Sequence, residues 1–143
     1  MKIKIFALTH KKFEVPQDKM YQPLQVGREG KEDLGYLCDN TGDNISAENC
    51  YYSELTGLYW IWKNVHAYKY VGTCHYRRYL LNEQEKIFTE TEYLELLKDY
   101  DLITTKRVVL NNSYHYGFAT NHNIHALDMT GEVIKELYPE YYD

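Results

Sequence analysis

In "GTCHYRRYLL", residues 72–81, His75, Arg77 and Arg78 follow directly on a short apolar run, although the chain carries a net charge of −5. Thr9, His10 and Lys11 stand in the same relation to the apolar run "KIKIFAL", and Lys106 and Arg107 to "DLITT". Cationic and hydrogen-bonding groups delivered at the ends of three runs suit an anionic ligand. Phosphate is the natural one, because the planar guanidinium fork takes its oxygens two at a time. Alternation along a strand supports a second reading, in which Arg77 and Arg78 point apart, one pairing with the acidic "TETEYLE" and the other merely solvated.

Three carboxylate or histidine groupings invite other chemistry. Asp39 and Asp43 in "CDNTGDN" sit in a glycine-bearing loop, placed to bind sugar hydroxyls, a ribose or a metal, or to make Asx turns. "YHYGFATNHNIHALD" holds His115, His122, His125 and Asp128, a source of a general base or, through His122, His125 and Asp128, of a metal site. Asp99-Tyr100-Asp101 has the literal Asp-x-Asp form that positions a divalent ion, but it precedes its apolar run and reads as a helix-ending turn.

The elements that must position these groups follow from periodicity. "KIKIFAL" predicts a strand, as do "YKYVGTCH" and "DLITT", with "PLQVG" and "KRVVL" as weaker ones. Leu55, Leu58, Tyr59 and Trp62 recur at helical spacing, which predicts one amphipathic helix over roughly 51–64 with these residues inward. Gly57 within it suggests close approach by a neighbour. "TETEYLELLKDY" opens with Thr89 and Glu92 at capping-box spacing, and "LDMTGEVIKELYPEY" reads as a helix capped by Asp128, with Val133, Ile134 and Leu137 inward and Pro139 as its stop. Strand, loop, helix, strand, helix, strand, helix implies an α/β fold with a largely parallel, Rossmann-like sheet and helices on both faces. Ligands in such folds bind beyond the carboxyl ends of the strands.

With 143 residues, the chain has the length of one domain, and residues 1–143 show no internal linker or repeat. A net charge of −5 and a pI near 5.7 argue against nonspecific nucleic-acid binding. No apolar run reaches membrane-spanning length and the start does not resemble a secretory signal, so the expected location is cytoplasmic. Cys38, Cys50 and Cys74 read as free, mostly buried thiols. Sixteen tyrosines read first as an aromatic core, though their hydroxyls also suit sugar ligands.

Taken in order, "LTHKKF", "LQVG", "LGYLCDNTGDNIS", "ELTGLYWIWKN", "YVGTCHYRRYL", "DYDLIT" and "HNIHALD" resemble a bacterial family, domain of unknown function 4422, found among capsular and exopolysaccharide biosynthesis proteins and regarded as glycosyltransferases. The likeness spans essentially the whole chain. It implies a GT-A-type sheet holding a nucleotide-sugar donor, a UDP-linked hexose or galactofuranose, and a glycan or lipid-linked glycan acceptor. Relatives run past the point where this chain stops, which implies a domain truncated at its C-terminus.

On that reading the donor base lies near Thr9 and His10. The diphosphate lies near His75, Arg77 and Arg78 with Lys11 and Lys106, and the sugar lies against Tyr36, Trp60 or Trp62. Asp39 and Asp43 join the nucleotide or sugar contacts, and His122 or Asp128 serves as base. No metal site is assigned, although Mn or Mg is compatible with a diphosphate. Peripheral association with the inner membrane and a homo-oligomer formed through an uncovered sheet face are the further partners this reading allows. A metal-dependent hydrolase built on the C-terminal histidines and a noncatalytic nucleotide-binding remnant are its rivals.

Overall fold

The computed structural model describes residues 2–109 and 111–142. The chain forms two compact units, Met1–Thr104 and Thr105–Asp143. The first is built on β1 (Ile3–Thr9), β2 (Tyr21–Gln25), β3 (Leu37–Cys38) and β4 (Tyr70–His75), ordered β3-β2-β1-β4 with every pairing parallel. This is the α/β sheet that the alternation of apolar runs predicted.

β1 is central and reads almost continuously apolar because both of its faces are covered. On one face Phe6 and Leu8 join Leu24, Val26, Trp60 and Ile61; on the other Ile3 and Ile5 join Met20, Tyr21 and Tyr93. The first cluster lies under α2 (Leu55–Asn64), the second under α3 (Glu90–Leu96). α3 starts where its capping box predicts: Thr89 Oγ1 accepts from Glu92 N–H, and the Glu92 carboxylate accepts from Thr89 N–H at 2.8 Å. Glu90, one residue on, accepts from the backbone N–H groups of Lys2 and Ile3 at 2.6 and 3.2 Å, tying the helix start to the start of β1.

Several expectations fail here. The helix over 51–64 is two helices, α1 (Asn49–Tyr52) and α2, separated at Ser53, whose φ of 50° leaves the right-handed region. The buried face of α2 is Thr56, Gly57, Trp60 and Ile61, while Leu55, Leu58 and Trp62 face solvent. The reason is local. The Thr56 hydroxyl is drawn to the buried Asp39, and a Cβ at Gly57 would stand 2.6 Å from Val26 Cγ1 and 3.0 Å from Leu8 Cδ2, so the sheet side chains occupy the space a larger residue would need. Apolar residues on both sides of the helix leave the periodicity with two answers, and these two contacts choose between them.

The third failure is residues 102–109, which have no regular structure rather than the strands expected of "DLITT" and "KRVVL". Ile103 packs beside the Tyr93 cluster, but Leu102, Val108 and Val109 are exposed, and a strand without a partner edge is not stable alone. Fourth, none of the three cysteines is buried: Cys38 and Cys74 are half-buried and Cys50 is exposed; all three are free.

The second unit contains α4 (Tyr114–Ala119), capped by Ser113, and α5 (Ile124–Leu137). The cap of α5 is Asn123, whose side chain accepts from His125 N–H at 3.1 Å, not Asp128, which lies within the helix. Of its expected inner face only Ile134 is even half-buried, while Val133 and Leu137 are exposed. Pro139 ends α5 as expected and opens a short 3-10 turn.

Candidate functional site

Parallel pairing brings the carboxyl ends of β1 and β4 together: Leu8 is registered with His75, and Tyr76 N–H donates to Leu8 O at 3.1 Å. Each strand leaves by a tight turn. Thr9, fully buried, folds its hydroxyl back to donate to Lys11 O at 2.6 Å and accept Lys11 N–H at 3.1 Å. After β4, Arg78 N–H donates to His75 O at 2.9 Å, so Tyr76 and Arg77 occupy the corner of the turn.

Tyr76 is the hub of this edge. Only 6% exposed, its ring lies 4.3 Å from that of His75, 5.7 Å from His10 and 5.6 Å from Phe13, with Tyr36 packed on Phe13 at 5.8 Å. Lys11 Nζ lies 5.6 Å and Arg77 Cζ 5.0 Å from the same ring centre. An exposed cation from the loop after β1 and another from the turn after β4 therefore lie against the same aromatic ring, which draws them to this edge without neutralising them. Among the described residues, neither Arg77 nor Arg78 is paired with a carboxylate. Such an edge attracts and orients an anion with several oxygens.

His75 differs from its neighbours. Its Nδ1 accepts from Arg77 N–H at 3.2 Å and its Nε2 lies 3.4 Å from Glu54 Oε1, at the N-terminal end of α2. Burial lowers its proton affinity below the ordinary value, the Glu54 carboxylate opposes this, and Arg77, Arg78 and His10 reinforce it. An imidazole in this state is neutral near pH 7 and carries its hydrogen on Nε2, toward Glu54. It braces the turn that presents Arg77 instead of adding positive charge to it.

The loop residues divide. Asp39, 0% exposed, accepts from Gly27 N–H (2.7 Å), Arg28 N–H (3.0 Å), the Ser46 hydroxyl (2.6 Å) and the Thr56 hydroxyl (2.7 Å). Both of its oxygens are committed to joining the loop after β2 to α2, so they are closed to a ligand. Trp60 is likewise structural: 7% exposed, edge-on to Phe6 at 6.4 Å, its indole N–H donates to Thr41 O at 2.9 Å. Asp43 is exposed, accepts from Tyr59 OH at 3.0 Å and lies 4.0 Å from Lys63 Nζ.

The structure thus brings Thr9, His10, Lys11, His75 and Arg77 to one edge and places Asp43 on the outer side of α2. Arg78 is exposed in the same turn. Lys106, His122 and Asp128 belong to the second unit. Within that unit the His122 ring packs on Phe118 at 4.9 Å, and Asp128 stands 4.0 Å from both His115 Nε2 and His125 Nδ1. Among the described residues no group of three His, Cys, Asp or Glu side chains is placed to hold a metal ion. Tyr76 and Phe13 are the members of this edge that sequence reasoning missed. The aromatic residue between His75 and Arg77 was the available signal, since a residue at the corner of such a turn must be held by something.

A family model described as a domain of unknown function (DUF4422) matches residues 4–143. No curated protein matches the chain in sequence. Among solved structures, the apo structure of the bifunctional glycosyltransferase WbbM is similar at a TM-score of 0.75 and 28% sequence identity over 99% of this chain. The match occupies 30% of that protein's chain. No helix among the described residues is long and apolar enough to cross a membrane.

Proposed function

We propose, from the premise that this chain belongs to the DUF4422 family, that it takes part in sugar transfer from a nucleotide-sugar donor to a hydroxyl of a growing glycan. Its likeness in structure to a bifunctional glycosyltransferase supports the reaction class. The single observation that carries the reading is that Lys11 and Arg77 both lie against the Tyr76 ring at the carboxyl edge of a parallel sheet.

In this reading the acceptor oxygen bonds to the anomeric carbon while the bond from that carbon to the diphosphate oxygen breaks, and the acceptor's proton passes to a general base. The family resemblance suggests His122 or Asp128 for that role. The diphosphate leaves with the bonding electrons. Lys11, Arg77 and Arg78 stabilise the charge it gains, Lys11 and Arg77 drawn to this edge by the Tyr76 ring. A UDP-linked hexose or galactofuranose as donor, and a capsular polysaccharide or exopolysaccharide as acceptor on the cytoplasmic side of the membrane, complete the proposal.

Titration calorimetry with UDP is the test. Arg77→Ala and Lys11→Ala are each expected to weaken UDP binding about tenfold or more, the scale of a lost charge-assisted hydrogen bond, while the circular dichroism spectrum stays unchanged. Folded variants with wild-type UDP affinity would remove the diphosphate from this edge. Repeating the titration with Mn2+ shows whether a divalent ion shares the charge.

A further inference from the structure

Tyr59 and Trp62, on the outer side of α2, meet edge to face at 5.8 Å and 86°, forming an aromatic corner. Lys63 Nζ sits 3.9 Å from the centre of the Trp62 ring and 5.5 Å from that of Tyr59. Asp43 completes the group, with one oxygen taking the Tyr59 hydroxyl at 3.0 Å and the other 4.0 Å from the lysine. Trp62 is nonetheless 67% exposed, so much of the indole surface remains open to solvent beside the ammonium. We propose that this corner is a saccharide-binding platform, distinct from the donor edge, which holds a pyranose ring of the acceptor glycan.

A pyranose has two needs on a protein surface: a flat apolar wall for its C–H face and fixed polar groups for its hydroxyls. The exposed indole surface supplies the first. The second comes from the Asp43 carboxylate as acceptor and the Lys63 ammonium as donor, one beside the other at the rim of the ring. Both aromatic side chains lose little conformational freedom on binding.

The polar groups are also held. Asn64 Nδ2 donates to Asp43 O and to Trp60 O, each at 2.8 Å, and Asp43 N–H donates to Asn64 Oδ1 at 3.2 Å. The buried Trp60 indole binds Thr41 O from beneath. The loop 41–43 is therefore riveted to the end of α2, and the carboxylate stands beside the rings before any ligand arrives. Charge argues against a protein partner as occupant: the cores of protein interfaces are depleted of charged side chains, whereas here an ammonium lies directly on the ring. The platform is remote from the donor edge. Glu54, which meets His75 there, and Trp62 are eight residues apart, about 12 Å along the helix axis. It is a place for a sugar further along the acceptor, not for the one being transferred.

The identity of the occupant as acceptor rests on the proposed sugar transfer; the binding itself does not, and it is tested without turnover. Two indole N–H signals are expected in an NMR spectrum of the full chain labelled with nitrogen-15, one for each tryptophan, and buried Trp60 is the internal control. Methyl glycosides of glucose, galactose and mannose, added to millimolar concentration, are expected to shift the Trp62 signal saturably and leave Trp60 in place. Trp62→Ala should weaken binding about tenfold or more, with Asp43→Asn intermediate. The exposure of both side chains makes misfolding no explanation for the loss, and the Trp60 signal reports it if it occurs. A Trp62 signal indifferent to all three glycosides, in protein that still binds UDP, overturns the platform and leaves the transfer reading standing. A Trp62 response in protein that does not bind UDP does the reverse. Concentration-dependent self-association abolished by Trp62→Ala, with no response to sugar, would overturn the platform in favour of a protein contact.

Discussion

A carboxylate withdrawn from water is tolerated only when its oxygens are fully bonded, and Asp39 meets that condition with four donors from three separate segments. Asp39→Ala leaves two backbone N–H groups and two hydroxyls without their acceptor. A stability loss of about 3 kcal/mol or more is expected in urea unfolding. His75 makes a second prediction. Its proton affinity is lowered in the folded chain, so as pH falls below the ordinary value of 6.5 the unfolded chain takes up a proton that the folded chain resists. The stabilisation present above that value is lost progressively on acidification, and the loss levels off once the folded imidazole itself protonates. Thermal melts of the wild type and His75→Gln between neutral and mildly acidic pH should show the wild type falling faster. Parallel curves would mean that the imidazole is not desolvated as the structure has it.

At the scale of the element, α2 shows what a missing side chain contributes. In an exposed helix Gly→Ala is worth roughly 1 kcal/mol of stability. At Gly57 the added methyl would meet Val26 and Leu8 in the close-packed layer between helix and sheet. Overpacking of this kind costs about 1 to 3 kcal/mol, so Gly57→Ala is expected to be net destabilising and to lower the melting temperature. A raised one would show that helix and sheet can separate without cost. The same contact explains why α2 turns Leu55, Leu58 and Trp62 outward, and hence why the aromatic corner exists.

For the whole molecule, the clearest feature is the division at Thr104/Thr105. The first unit has a core on each face of its sheet, whereas none of the described residues of the second is buried. Residues 105–109, which open the second unit, are exposed, lack regular structure and include Lys106 and Arg107. Brief trypsin digestion is expected to cut first at these two sites and leave a resistant N-terminal fragment, read by mass spectrometry. Earlier cleavage within the first unit would count against its being the stable core.

Some of this was legible in order and type of residue alone. β1 and β4, the helix start at Thr89, the stop at Pro139 and the parallel α/β architecture depend on local patterns whose periods and caps are unambiguous, and so does the delivery of His10, Lys11, Arg77 and Arg78 just past strand ends. Tertiary contact decided what those patterns left degenerate. A helix apolar on two sides is oriented by the bond from Thr56 to Asp39 and the gap at Gly57, which turned Trp60 inward to the core and Trp62 outward to solvent. Asp39 became a buried tie and not a ligand, because burial depends on which segments converge around a side chain. The apolar run at 102–109 failed to become strand because a strand needs an edge to pair with, and pairing is a property of the assembled sheet.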